Sequence, residues 1–454
     1  MGDWAKEAPK MAHVYGHADC TIAYLLPPQD VFSEPRRDPR IWYPCILRFP
    51  SHAKRGVYIC PDMDEEIVRS NDGYGDDDIK WLSPNNWPLF KRAWTFQEYL
   101  LSPRIVFVGH QNLMWECSES RCDEIIGPLK EFPGSIASKA HLSAVGSITL
   151  PENTLAAQLK SVGHWEQLIH DYRARTLTQP KDRIMAFAGI AQAAHSSNQM
   201  TYIAGSWEQM FPFSFTWSVF FRKPSKTETR EASAGIVREA VTDAAPSWSW
   251  FSVPIFTHHE FAFHVNQDLR IMLSYSEKNK IEPMYQATLL SSGDRSGKVH
   301  AKPLKTETFC SFTRMALVIL IKTCIVFLWH SIEHDLGYRT IAQQFEKLVG
   351  KKYGTFQYYL DRPDELHNHS DKVTLGLLLE LRTGHDSELS RGYGGRYLVG
   401  LLMQPEASCE AYKRIGLWSL KIAPDPAGWE ANTFKMVSIF DHLEGVRSEH
   451  IRLV

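Results

Sequence analysis

The sequence predicts a mixed α/β (α+β) fold, helix-rich in its first half and strand-rich in its second. Two observations carry this prediction. Apolar side chains recur at helical spacing in three segments, residues 89–101, 155–174 and 180–194. From about Ala245 onward the pattern changes to short apolar runs with polar breaks, which is typical of strands. We therefore expect an α/β region followed by a β-rich region.

The composition is that of an ordinary globular protein. The 454 residues are 44% hydrophobic and 22% charged, which is enough for two or three domains with buried cores. The 14 Trp residues and the 12% aromatic content indicate cores built on large, flat side chains.

Charge and cysteine usage argue against two classes of protein. Lys and Arg number 50 against 52 Asp and Glu, and no basic stripe stands out, so nucleic acid is not an expected partner. The 8 cysteines are scattered, and the first residues carry charges where a signal peptide would be apolar. We therefore predict a reduced, cytoplasmic protein.

The chain opens on a predicted helix and a predicted strand. Residues 3–15 carry apolar groups at helical spacing, which are Trp4, Ala8, Met11 and Tyr15. Residues 20–24 predict a short buried strand. Two further short strands are predicted within residues 42–49 and 56–60, in a segment otherwise rich in Pro, Asp and Gly.

The clearest predicted helix spans residues 89–101. Pro88 stands where helices begin, and Pro103 lies just beyond the last helical residue. Residues 104–108 and 112–116 then predict the two strands of a β-hairpin.

The remaining predicted elements lie after residue 200. An apolar helix is predicted for residues 205–221, with an interruption at Pro212. Strands are predicted in five later runs, which are residues 261–265, 269–275, 298–301, 397–403 and 416–422.

The segment from Met315 to Trp329 is apolar apart from Lys322 and Thr323. It is shorter than the roughly 20 residues that a membrane helix needs, and a central lysine would cost about 2.5–3.5 kcal/mol in a bilayer. A buried β-rich stretch is therefore favoured, and a membrane span is disfavoured. A translated stretch foreign to the native fold, such as a retained intron, stays open as a third reading.

Several blocks of the sequence stand in the order expected of one family. The blocks are RAWTFQE at 92–98, YRARTLT at 172–178, KDRIMAFAGIA at 181–191, APSWSW at 245–250 and, more loosely, YKRIG at 412–416. In this order they resemble the fungal heterokaryon-incompatibility (HET) domain, whose most specific signature is R-x-W-T-[LF]-Q-E. Two blocks that open HET domains, Y-x-x-L-S-Y-x-W-G and W-I-D-x-L-C-I-x-Q, do not occur in this sequence.

The resemblance implies three regions along the chain. A partial HET domain, truncated at its N-terminal side, is expected over residues 1–125. A helical HET-associated region is expected over residues 126–255, and a β-rich C-terminal region over residues 256–454.

The resemblance also implies a function. HET proteins act in fungal non-self recognition, where assembly with a protein partner, or self-association, triggers growth arrest or programmed cell death. The HET fold is thought to resemble Toll/interleukin-receptor (TIR) domains, some of which split NAD with a catalytic glutamate. We expect a signalling or interaction module without a resident cofactor. The alternatives are a TIR-like NAD hydrolase, with NAD as its substrate, and an inactive truncated family member.

The TIR likeness makes Glu98 the candidate catalytic residue. On the predicted helix, Glu98 lies on the same face as Trp94, Gln97 and Leu101. Burial there would raise the pKa of the Glu98 carboxyl, and a neighbouring arginine would lower it. The alternative is a structural glutamate paired with Arg92, Arg104 or backbone N–H groups.

The second and third blocks carry structural predictions. Asp182 is expected to cap the helix that begins near Arg183, a contribution of about 1 kcal/mol. Arg183 is expected to pair with Glu98 or Asp171. Arg175 occupies the arginine position of the second block.

The last predictions concern Trp248, Trp250 and metals. In a strand both tryptophans would face one side, so they predict a packing element, with ligand stacking as the alternative. His13 and His17 with Cys20 lack a fourth ligand, and Cys117 with Cys122 stands alone. No metal site is therefore predicted.

Overall fold

The computed structural model describes residues 10–24, 45–47, 57–59, 89–108, 113–124, 127–128, 139–148, 154–179, 182–198, 200–221, 245–253, 259–274, 281–293, 318–329, 354–361, 372–383, 395–405, 411–422 and 447–453. Helices and strands both occur in these ranges, so the mixed α/β class is confirmed. The chain forms two compact units. Unit 1 comprises Met1–Ser147 and Gln167–Ser197, and unit 2 comprises Ile148–Glu166 and Asn198–Val454.

Unit 1 combines helices with a five-stranded sheet. Its strands are β1 (Thr21–Tyr24), β2 (Cys45–Leu47), β3 (Val57–Ile59), β4 (Arg104–Val108), β5 (Leu113–Cys117), β6 (Arg121–Asp123) and β7 (Gly127–Pro128). Its helices are α1 (Met11–Gly16), α2 (Trp94–Leu101), α3 (Lys139–Gly146), the C-terminal part of α4 (Leu155–Arg173) and α5 (Arg183–Asn198). The sheet order is β1-β4-β5-β6-β7, with β1 parallel to β4 and the other neighbours antiparallel. The β2–β3 pair stands apart.

The short strands of unit 1 test the prediction for its beginning. The predicted strand at residues 20–24 exists as β1, but its predicted burial is wrong, since Ile22 is 73% and Tyr24 41% exposed. The reason is that β1 is the edge strand of its sheet and its side chains alternate between two faces. The two short strands predicted within residues 42–49 and 56–60 are confirmed as β2 and β3, which pair with each other, and the predicted β4–β5 hairpin is confirmed.

The helices of unit 1 follow the predicted periodicity with shifted ends. Helix α4 matches the predicted residues 155–174, and α5 begins at Arg183 within the predicted 180–194 segment. Helix α1 covers only Met11–Gly16 of the predicted helix at 3–15, whose first seven residues lie outside the described ones. The three predicted regions at 1–125, 126–255 and 256–454 stay a prediction.

Unit 2 is dominated by an eight-stranded sheet. Two separate strand pairs precede the sheet, β8 (Tyr202–Ile203) with β9 (Ser206–Trp207) and β10 (Ser218–Phe221) with β11 (His259–Ala262). The eight strands of the sheet are β12 (Ile281–Gln286), β13 (Thr288–Gly293), β14 (Val318–Trp329), β15 (Gly354–Leu360), β16 (Lys372–Thr383), β17 (Gly395–Pro405), β18 (Tyr412–Ile422) and β19 (Arg447–Leu453). The strand path runs β16-β17-β18-β19-β14 and returns to β16, so five strands form a closed ring. Helix α6 (His264–Ser274) belongs to the same unit.

The central strands of this sheet are buried on both faces. Consecutive residues of β16 and β17 are buried, which explains why their sequences read as continuous apolar runs rather than alternating ones. A β-carbon on Gly400 would come within 2.0 Å of the Gly376 carbonyl and 2.6 Å of the Trp418 ring. Only glycine therefore fits at this position of β17. The strands predicted at 397–403 and 416–422 are confirmed as parts of β17 and β18.

Two elements predicted in unit 2 are wrong. Residues 205–221 do not form one helix but strand β9, two 3-10 turns (Glu208–Met210 and Phe213–Phe215) and strand β10. Residues 269–275, predicted as a strand, belong almost entirely to helix α6, where Val265 and Leu269 are buried one turn apart. The predicted strand at 298–301 lies outside the described residues.

The apolar segment from Met315 to Trp329 contains strand β14, so its prediction as a β-rich stretch is confirmed. Strand β14 pairs with β13, β16 and β19. In the described part of the chain, no helix combines the length and the apolar character required to cross a membrane.

Candidate functional site

Helix α2, which carries the RAWTFQE block, begins later than predicted because the residues before it bind another segment. The Ala93 N–H donates to the Thr176 carbonyl at 2.9 Å, and the Thr176 N–H donates to the Lys91 carbonyl at 2.6 Å. Arg92 and Thr176 form a parallel bridge between these segments. The helix therefore starts at Trp94, and the first two motif blocks are joined by backbone hydrogen bonds.

A side-chain contact joins the same two blocks. The Thr95 hydroxyl lies 2.8 Å from the Leu89 carbonyl and 2.7 Å from the Arg92 carbonyl, so it caps the turn before α2. Arg175 donates from Nη1 to the same Thr95 hydroxyl at 3.2 Å, and its guanidinium lies 4.6 Å from the centre of the Phe96 ring. Burial lowers the pKa of Arg175 to about 10, against the favourable charge of a nearby aspartate.

Gln97 joins the first block to the third. Its side chain is 1% exposed, and its amide nitrogen lies 3.4 Å from the Met11 sulfur. A β-carbon on Gly189 would come within 2.6 Å of the Gln97 side-chain oxygen, 3.1 Å of Leu101 and 3.2 Å of Ala12. The glycine of the third block therefore allows α2, α1 and α5 to pack closely.

The predicted face of α2 is partly exposed, not wholly buried. Of its four side chains Gln97 is buried, and three are half-buried, which are Trp94, Glu98 and Leu101. The side of α2 that carries Phe96, Tyr99 and Leu100 is buried, so the helix is more exposed along the stripe that carries Glu98.

Glu98 is bound by a residue that the sequence did not indicate. The Tyr15 hydroxyl donates a hydrogen bond to the Glu98 carboxylate, and Arg92 lies near enough to attract it. Burial raises the pKa of Glu98, while Tyr15 and Arg92 lower it in part. Burial and the Glu98 charge together raise the pKa of Tyr15 to about 12. Arg104, the other predicted partner of Glu98, is exposed and donates to the Asp19 carbonyl at 3.4 Å.

The third block begins beside buried cations. Asp182 stands immediately before helix α5, at the position expected of a cap. Arg183 is buried, and its carbonyl accepts a hydrogen bond from the Tyr172 hydroxyl. Burial lowers the pKa of Arg183 to about 10, and it lowers the pKa of the neighbouring Arg173 as well. The predicted pairing of Arg183 with Glu98 or Asp171 stays a prediction.

In unit 2, the tryptophans of the APSWSW block are buried in the core. The expectation of a strand is wrong, because the block is a turn that leads into a 3-10 helix at Trp250–Ser252. Trp250 and Trp165 both donate their indole N–H to the Gly205 carbonyl, at 2.7 and 3.0 Å. Gly205 has φ +96°, and a β-carbon there would come within 2.6 Å of the Trp250 nitrogen. Trp248 is also buried, so the packing role of both tryptophans agrees with their burial.

Arg414, in the loosely matching YKRIG block, makes a set of buried hydrogen bonds that the sequence did not predict. It is 2% exposed and pairs with Asp361 through Nε at 2.8 Å and Nη2 at 3.2 Å. It also donates to the carbonyls of Phe215 and Trp217, each at 2.6 Å. Its guanidinium lies 3.3 Å from the centre of the Trp217 ring. The sequence offered little signal for this role, since Arg414 directly follows Lys413 and local patterning does not distinguish the two cations.

The described thiols and imidazoles do not assemble into a metal centre. Among the described residues, no three His, Cys, Asp or Glu side chains are grouped as metal ligands. The His13 and His17 rings lie 4.0 Å apart, while Cys20, Cys117 and Cys122 are free thiols.

The arrangement separates packing residues from one candidate for chemistry. Gln97, Gly189 and the arginines of the second and third blocks are buried in unit 1, which suits a structural role. Among the described carboxyl groups of these blocks, Glu98 combines partial exposure with a raised pKa, which suits proton transfer or stabilisation of positive charge. Neither a family model nor a curated protein nor a solved structure matches this chain.

Proposed function

We propose that this chain is a signalling or interaction module of the fungal heterokaryon-incompatibility type. Its role would be non-self recognition leading to growth arrest or programmed cell death, in the cytoplasm and through a protein partner or self-association. The observation that supports the proposal is the convergence of three separate motif blocks in unit 1. Thr95 contacts Arg175, and Gln97 packs on Gly189.

This convergence favours a module over an enzyme. Residues that define a fold are expected to be buried against one another, whereas catalytic residues are expected to face a cleft. Gln97, Arg175 and Gly189 follow the first pattern. Their burial supports the proposed module and is independent of the chemistry of the exposed groups.

The TIR-like part of the proposal draws on the order of elements in unit 1. Strand β1 is parallel to β4, and α2 directly precedes β4 in the connection between them. Parallel neighbours joined through a helix are the basic unit of α/β domains. The likeness is one of local architecture, so activity has to be argued from the site.

Glu98 supports NAD hydrolysis as the second candidate function. Its carboxylate is half-buried and bound by one hydroxyl, that of Tyr15, and could stabilise positive charge as nicotinamide leaves. The Tyr15 hydrogen bond would have to give way to substrate, which makes this the less favoured function. An inactive truncated family member is the remaining alternative.

Expression of the full chain in a filamentous fungus tests these functions together. Growth and cellular NAD are measured for the wild type, Glu98→Gln, and Glu119→Gln as a control at the exposed turn between β5 and β6. A module arrests growth in all three, with NAD unchanged until growth stops. A hydrolase lowers NAD before growth stops, and only Glu98→Gln abolishes both effects. Unimpaired growth with the folded wild-type chain would contradict the proposed signalling role.

A further inference from the structure

Unit 1 contains a buried guanidinium whose hydrogen-bonding capacity is largely unused by the protein. Arg175 is 1% exposed, and its Nη1 donates to the Thr95 hydroxyl at 3.2 Å. Its Nε and Nη2 make no hydrogen bond to a group in the part of the chain that the structure describes. Because a buried charged donor without an acceptor is strongly unfavourable, these atoms indicate a binding site for a polar molecule.

A second buried group with an unused atom lies four residues earlier. Asp171 is 2% exposed, and its Oδ1 accepts a hydrogen bond from Gln167 at 2.9 Å. Its Oδ2 accepts none from the protein. Asp171 lies in the last turn of α4, and Arg175 follows two residues after the helix ends, where its N–H donates to the Tyr172 carbonyl at 3.1 Å in a tighter turn. This turn folds the chain back beside the end of α4, and the charges of Asp171 and Arg175 are near enough to act on each other.

The two side chains attract each other without bonding directly. The charge of Arg175 lowers the pKa of Asp171, and the charge of Asp171 raises the pKa of Arg175, so each group favours the charged form of the other. The contacts of Arg175 with Thr95 and Phe96 explain the separation, because they hold the guanidinium toward helix α2. Asp171 remains anchored on α4 by Gln167.

We propose that an internal water molecule bridges Asp171 Oδ2 and the free N–H groups of Arg175. The bridging molecule must accept a hydrogen bond from Arg175 and donate one to Asp171. An anion could accept but would face the carboxylate, and a cation would face the guanidinium. Water does both, and buried waters in proteins make two to four such bonds to polar groups.

Arg414 in unit 2 provides a matched control within the same chain. It too is buried, but its Nε and both Nη atoms donate directly to Asp361 or to the carbonyls of Phe215 and Trp217. The Arg414 Nε–H is therefore expected to contact protein acceptors only.

The test is magnetisation transfer from water to arginine side chains in the deuterated full chain with ¹⁵N-labelled arginine. The two Nε–H signals are assigned by their loss in Arg175→Lys and Arg414→Lys. A water NOE with the sign of a bound molecule is expected at Arg175 Nε–H and not at Arg414 Nε–H. Absence of that NOE from a resolved Arg175 signal overturns the proposal.

A crystal structure of the wild-type chain keeps the proposal testable if a lysine variant fails to fold. Density for one water within hydrogen-bond distance of Asp171 Oδ2 and of Arg175 Nε or Nη2 is the expected result. A direct Asp171–Arg175 ion pair, or an inorganic anion on Arg175, overturns it.

Discussion

The side-chain oxygen of Gln97 packs directly against Gly189, so close that a β-carbon on residue 189 would lie only 2.6 Å from it. Helices α2 and α5 thus meet at a glutamine and a glycine, which belong to two separate motif blocks. The pair explains why these residue types occur at these positions, since any other residue at 189 would have to displace its neighbours.

Gly189→Val should destabilise unit 1 by about 1–3 kcal/mol, because added methyl groups would overlap Gln97, Leu101 and Ala12. Urea unfolding of the purified chain measures the change. Gly16→Ala is the control, since a β-carbon there meets nothing within 4 Å. Equal midpoints for Gly189→Val and the wild type would show that α2 and α5 do not pack as described.

The Glu98 carboxyl should make stability depend on pH. Its folded pKa is raised from the ordinary value of 4.5, so the folded state binds the proton more tightly than the unfolded state. The contribution is fully present below pH 4.5 and is lost as pH rises through the folded pKa. Glu98→Gln, which stays neutral, should therefore gain stability relative to the wild type as pH rises.

The measurement for Glu98 is the unfolding free energy of both proteins at several pH values from 4 to 8. Glu119→Gln is the exposed control. Tyr15→Phe removes the hydrogen bond that lowers the pKa of Glu98, so it should raise that pKa further and enlarge the loss of unfolding free energy as pH rises. A difference between wild type and Glu98→Gln that does not change with pH would contradict the raised pKa.

Arg414→Met should cost unit 2 about 3–5 kcal/mol, because Asp361 would keep a buried charge without its partner. Thermal and urea unfolding both report this loss. Lys421→Met on the same strand is the control, since Lys421 and Asp268 are each 41% exposed and such pairs contribute about 0–1 kcal/mol. Similar losses in the two variants would rule out a special role for Arg414.

Cys117 should be the more reactive thiol of its hairpin. Hydrogen bonds from the Ser120 hydroxyl and from the N–H groups of Glu119 and Ser120 lower the pKa of Cys117 to about 7. The rate of iodoacetamide labelling, followed by mass spectrometry, should therefore rise with a midpoint near pH 7. Ser120→Ala should move that midpoint upward, and an unchanged midpoint would exclude the serine as the cause.

Helical and strand periodicity predicted much of the fold, because it reflects burial on one face or on both. The β4–β5 hairpin, α4 and β17 were found where their patterns indicated them. Residues 205–221 failed because nearly all are buried, so no periodicity remains to identify the backbone. There Ala204 and Gly205 adopt positive φ, which redirects the chain instead of starting a helix.

The candidate site was predictable in part. The helical face of α2 grouped Glu98 with Trp94 and indicated burial and a nearby arginine as opposing influences on the pKa of Glu98, of which burial is the larger in the structure. Its partner Tyr15 could not be predicted, because no local pattern links residues that are far apart in sequence. Arg414 was missed for the same reason, since its acceptors come from distant segments.

Helix α4 has a consequence for how this protein can be divided. Its first residues, Leu155 to Glu166, belong to unit 2, while Gln167 to Arg173 belong to unit 1. Each unit is therefore assembled from two stretches of chain that interleave. No single cut in the gene yields both units whole, so truncating the chain at one point cannot produce either unit alone with the other left intact.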